Sequence, residues 1–62
     1  MKNKFITLNA KTNDNKYYLN VEHIISVVPY YGEGASVSMV SGQNFHVKEF
    51  VEEVMILIAE LN

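Results

Sequence analysis

Apolar and polar residues alternate from residue 4 to residue 10, with Ile6, Leu8 and Ala10 on one side and Thr7 and Asn9 on the other. A period of two is the mark of a strand with one buried face. The polar cluster from Lys11 to Lys16, rich in Asn, breaks that pattern and predicts a turn. Alternation resumes over 16–21, with Tyr17, Leu19 and Val21 facing in, so the first third of the chain predicts a hairpin. Asn20-Val21-Glu22-His23 then reads as one helical turn or bend with Asn20 as its cap. Residues 24–31 are β-branched and aromatic, which favours a strand. Pro29 supplies no ladder donor and places this strand at an edge or a bulge. Gly32-Glu33-Gly34 reverses the chain into a strand over 35–41, where Val37 and Met39 face in and Ser36 and Ser38 face out. Ser41-Gly42-Gln43 is a second tight reversal. It leads into a strand over 44–47, with Phe45 and Val47 inward and His46 outward.

From residue 48 to residue 61 the period changes to that of a helix. Phe50, Val54, Leu57, Ile58 and Leu61 share one side, and Val51 and Met55 widen it. The apolar arc reaches roughly 160°, beyond the ~100° that a surface helix needs. Glu49, Glu52, Glu53 and Glu60 occupy the other side, where acids near the N-terminus suit the helix dipole. Ile56 sits among them. These elements predict an α+β fold of one domain, 1–62, with an antiparallel four- to five-stranded β-meander and the helix packed on one face. The surplus apolar surface marks Val51, Met55, Ile56 and Ala59 as an expected oligomer interface.

Size strengthens that expectation. A 62-residue chain that is 48% hydrophobic and 19% charged is a folding composition, but its core is small. Small domains usually add disulfides, a metal or partner subunits. With no Cys, disulfides and thiolate metal sites are excluded. Self-association is the means left. No apolar run approaches the ~20 residues that span a bilayer. The basic start, Met-Lys-Asn-Lys, lacks the apolar stretch of a secretory signal. The expected setting is the cytoplasm, without membrane insertion.

The net charge of −2 is unevenly placed. Lys2, Lys4, Lys11 and Lys16 against Asp14 make the first twenty residues +3, and six Glu against Lys48 make the remainder −5. Four lysines and no arginine fork suit one anionic ligand better than a nucleic-acid duplex. His23 and His46 have no partner at catalytic or metal-ligating spacing. Ser36, Ser38 and Ser41 lack a nucleophile elbow. Gly32-Glu33-Gly34 precedes a strand rather than the helix that a phosphate loop requires. No cofactor or metal is expected, and the chain reads as non-catalytic.

The Tyr17-Tyr18 and Tyr30-Tyr31 pairs each put one ring outward, an aromatic surface for a base or a partner side chain. Lys16, Tyr18, Tyr30, Tyr31, Ser36, Ser38 and His46 are therefore the expected ligand or partner surface.

In order, Tyr17-Tyr18-Leu19-Asn20, Ile24 or Ile25, Val37-x-Met39-x-Ser41-Gly42 and Phe45-x-Val47-Lys48-Glu49-x-x-Glu52-Glu53-Val54 resemble the small FlbD/SwrD-like proteins. The resemblance spans nearly the whole chain. It implies a β-meander followed by a helix, an association with flagellar function and motility, and no catalytic residue. Two positions depart from that pattern. Phe50 stands where the family commonly has Ser, and the turn from Lys11 to Lys16 is longer and richer in Asn. The expected function is a non-catalytic, homo-oligomeric module that binds a protein partner. The alternative is a small phage- or mobile-element-type protein that sequesters an anionic or nucleotide ligand, or inhibits a host protein.

Overall fold

The computed structural model describes residues 4–61, so Lys2 of the basic cluster lies outside the described residues. Five strands and one helix follow in order: β1 (Phe5–Asn9), β2 (Lys16–Asn20), β3 (Ile24–Pro29), β4 (Ala35–Met39), β5 (Asn44–Val47) and α1 (Val51–Ala59). A 3₁₀ turn, Val21–His23, links β2 to β3, and the Asn20 side chain caps it by accepting from the Glu22 N–H at 2.9 Å. This is the bend expected from Asn20-Val21-Glu22-His23.

The α+β class stands, but the strands do not form one continuous meander. β1 pairs only with β2, and β3, β4 and β5 form a separate antiparallel sheet. The 3₁₀ turn uncouples β2 from β3 and so breaks the meander at that step. A single bridge, Ala10 to Val47, joins the sheets edge to edge. Two hydrogen bonds flank it, from Lys11 N–H to the His46 carbonyl at 3.0 Å and from Lys48 N–H to the Asn9 carbonyl at 2.9 Å. The spatial order is β2-β1-β5-β4-β3, which leaves β2 and β3 as the two outer strands.

The alternating positions deliver the core as expected. Ile6, Leu8, Ala10, Leu19, Ala35, Val37, Met39 and Val47 are buried on one side of the sheets, and Val54 of α1 packs into them. Val51, Leu57, Ile58 and Leu61 complete the helix's inner stripe. No polar or charged side chain is buried among the described residues.

The helix is shorter than the expected 48–61, and its start explains the difference. Phe50 occupies the N-cap with extended backbone, and its N–H donates to the Glu53 carboxylate at 2.9 Å. The phenyl ring offers no acceptor in return, so only half of a capping box forms. Glu49 is drawn away before the helix begins. Its carboxylate accepts from the Asn9 backbone N–H at 3.0 and 3.2 Å and from Asn9 Nδ2 at 2.6 Å. Glu49 therefore straps β1 to the entry of α1 instead of lying on the helix's acidic face.

The expected strand over 24–31 also ends early, at Pro29. Tyr30, Tyr31, Gly32 and Glu33 form a tight turn closed by a 2.9 Å bond from Glu33 N–H to the Tyr30 carbonyl. Tyr31 and Gly32 both take positive φ, 49° and 72°. That is the sense of twist that hairpin turns favour, and it is costly for a bulky side chain.

Candidate functional site

Hydrogen-bond parity decides what each outer strand offers. In the β1–β2 ladder, Val21 N–H reaches the Lys4 carbonyl and Ala10 N–H reaches the Asn15 carbonyl. Bonded pairs therefore join even positions of β1 to odd positions of β2, given the printed register. It follows that the backbone N–H and C=O groups of Lys16 and Tyr18 point away from β1, while the Asn20 carbonyl is used by the 3₁₀ turn that follows. Among the described residues no strand lies on that side.

The other outer strand is guarded. Tyr30 N–H bonds to the Gly34 carbonyl, so even positions of β3 pair with β4, and Val27 and Pro29 face outward. Pro29 brings no N–H to that edge. A register shift between Ile24 and Ser26 further disrupts it. Proline and bulges are the usual devices that blunt an edge against pairing.

Two grooves open on the surface. The first, of about 360 Å³, runs beside the end of β2, between Phe5, Tyr18 and Asn20 on one wall and His23, Val40 and Gln43 on the other. Its lining contains no acidic residue and no lysine. The second, of about 480 Å³, lies between β3 and α1, where Ile24, Ile25 and Val27 meet Met55 and Ile58.

The expected ligand surface does not come together as one patch. Lys16 and Tyr18 stand on β2, with Tyr18 66% exposed. Tyr30 and His46 meet elsewhere, their rings stacked at 4.1 Å and 24° across the end of the three-stranded sheet. Tyr31 packs edge-on against Tyr30 at 4.9 Å and is itself 87% exposed at the turn. Ser36 faces His46 across the β4–β5 ladder. Ser38 is committed to its neighbour, donating to Asn44 Oδ1 at 2.7 Å.

The expected oligomer surface holds together better. On α1, Met55, Ile56 and Ala59 are all exposed and neighbour one another at helical spacing, Ala59 lying one turn beyond the other two. Met55 is 50% and Ile56 57% exposed. Val51 is half-buried against the core and belongs to the helix–sheet contact. Ile25, 65% exposed at the β3 irregularity, extends the apolar surface across the groove from Met55. Its exposure was not legible in the sequence, because nothing in a run of β-branched residues marks where the register slips.

Two ionic contacts tie loops together. Lys11 Nζ reaches the Glu33 carboxylate at 2.8 Å and the Glu33 carbonyl at 3.3 Å, and Lys4 approaches Glu22 at 3.9 Å. The hydrogen bond from Lys11, reinforced by its charge, holds the Glu33 carboxyl below its ordinary range. Among the described residues no group of three or more His, Asp or Glu is placed to hold a metal ion. No helix there is long and apolar enough to cross a membrane.

Compared with protein-family models, with curated proteins and with solved structures, the chain finds no match in any of the three.

Proposed function

We propose that this chain is a non-catalytic interaction module that self-associates through the face shared by β3 and α1 and presents its remaining surface to a protein partner. The observation that carries the reading is that exposed Ile25 and Met55, from two different elements, line one groove, with Ile56 and Ala59 exposed farther round and along the helix. Interfaces of standard size bury ~800 Å² on each partner. That is about a fifth of the 4348 Å² this chain exposes, so a stable dimer needs a patch spanning more than one element. The β3–α1 face is such a patch. Small Ala59 permits close approach of a second helix, and a core without staples gains most from a partner.

The resemblance to the FlbD/SwrD-like proteins agrees with the non-catalytic part of this reading, since it implies no catalytic residue. The ligand-sequestering alternative has less support, because Lys16 and Tyr18 belong to one sheet and the stacked Tyr30 and His46 lie at the other.

Native mass spectrometry and sedimentation across a concentration series test the proposal. The dimer is expected to give way to monomer in Ile56→Glu, with the circular dichroism spectrum unchanged. A parent chain that stays monomeric at high micromolar concentration would refute the self-association. A stoichiometric small mass lost on denaturation would favour the ligand reading instead.

A further inference from the structure

We infer that the free edge of β2 is a docking site for an extended acidic segment of a partner protein, added as a sixth strand. The two outer strands differ in a way that calls for explanation. β3 directs Pro29 outward and carries a register shift, so it is closed to pairing. β2 has neither proline nor bulge; its one guard is Lys16, a charge that repels a basic strand and attracts an acidic one. The strand directs the N–H and C=O of Lys16 and Tyr18 outward, and among the described residues no strand pairs with them; the Asn20 carbonyl beyond them is taken up by the 3₁₀ turn. Strand addition uses such a row of main-chain groups for affinity and alternate side-chain positions for specificity.

The side chains on this edge state which segment fits. Residues opposite one another in a ladder share a face, so Lys16, Tyr18 and Asn20 stand on the same face as Asn9, Thr7 and Phe5. Lys16 has no ionic partner among the described residues, whereas Lys4 and Lys11 are both engaged. An incoming strand would set an Asp or Glu opposite Lys16 and an aromatic or β-branched residue opposite Tyr18, two positions along. The groove bounded by Phe5, Tyr18 and Val40 lies alongside and is free of charged residues, so it takes the apolar side chain. Added antiparallel to β2, the pattern recognised reads aromatic-x-acid in extended conformation.

A second copy of the chain fits less well. Two-fold antiparallel pairing of β2 centred on Tyr18 would set Lys16 against Asn20 of the other copy and leave the lysine unanswered. An acidic segment answers Lys16, and a second copy does not.

The site is separate from the β3–α1 face, so either assignment can fail alone. The probe is a seven-residue peptide, acetylated and amidated, with Tyr and then Glu at alternate central positions between valines. Titrated into the labelled protein, it is expected to shift the amide resonances of residues 16–20 and to slow hydrogen exchange at the Tyr18 N–H. N-methylation of the peptide's central amide should weaken binding about tenfold, as should Lys16→Glu. Tyr18→Pro removes the outward donor together with the ring and should abolish binding, Tyr18→Phe should retain it, and Ile56-dependent dimerisation should persist in both. Binding that ignores the N-methyl group, shifts confined to the β3–α1 groove, or no binding at millimolar peptide would each overturn the assignment. So would a dimer that Tyr18→Pro dissolves, which would make the occupant a second copy.

Discussion

At Gly34 the backbone takes φ of 129° and passes so close to Val47 that an added Cβ would overlap the Val47 carbonyl oxygen. Neither the conformation nor the space admits a side chain. Gly34→Ala is expected to destabilise the fold by more than ~2 kcal/mol in urea denaturation. Gly32 has open space around the same turn, so only its positive φ constrains it. The sequence marks both glycines as turn residues and cannot distinguish them, because the close approach is made by a strand thirteen positions away. Tyr31 shows the reverse limit. Alternation places its ring outward, and the ring is outward, but the cause is a left-handed turn and not the pleat of a strand. Inward positions such as Leu8, Val37 and Val47 were legible because a period of two depends only on neighbours.

Between elements, the strongest signals come from residues far apart in the chain. Glu49 holds the Asn9 N–H and side-chain amide across forty positions and so fixes where β1 ends and α1 begins. Glu49→Ala removes these bonds from Asn9, which is exposed so that water can take the acceptor's place, and is expected to cost about 0.5–1.5 kcal/mol. Glu52→Ala, on the exposed helix face, should stay within about 0.5 kcal/mol by the same denaturation assay. In sequence the four glutamates near the helix look alike, since periodicity records a face and not a distant partner. The same limit applies to the split between the sheets. Each strand announces itself, while the loss of pairing between β2 and β3 follows from a 3₁₀ turn whose consequence is purely spatial. Lys11 and Glu33 link the first hairpin's turn to that between β3 and β4. Because the Glu33 carboxyl is held below its ordinary value of 4.5, its contribution is complete above that pH and is lost as pH falls through the folded-state value. A carbon-detected titration of Glu33 should show the depressed midpoint, and Lys11→Met should return it to the ordinary carboxylate range.

For the whole molecule, self-association and stability are one equilibrium. If the dimer holds the β3–α1 face, the thermal midpoint should rise with protein concentration, and Ile56→Glu should remove that dependence. A midpoint independent of concentration in the parent chain would contradict it. The Asn9–Glu49 strap also has a consequence for biosynthesis. Ribosomes add about 5–20 residues per second, so residues 21–49, from the end of β2 to the strap's far end, take roughly 1.5–6 s to make. For that interval the nascent β1–β2 hairpin has both flanks bare, with neither Glu49 nor β5 yet available to cover β1. Lysines beside exposed strands oppose wrong pairing. Lys4, Lys11 and Lys16 border this hairpin, and the acids that will answer the first two arrive only later, at Glu22 and Glu33. Until those acids are made, like charge on the first third disfavours pairing between unfinished copies.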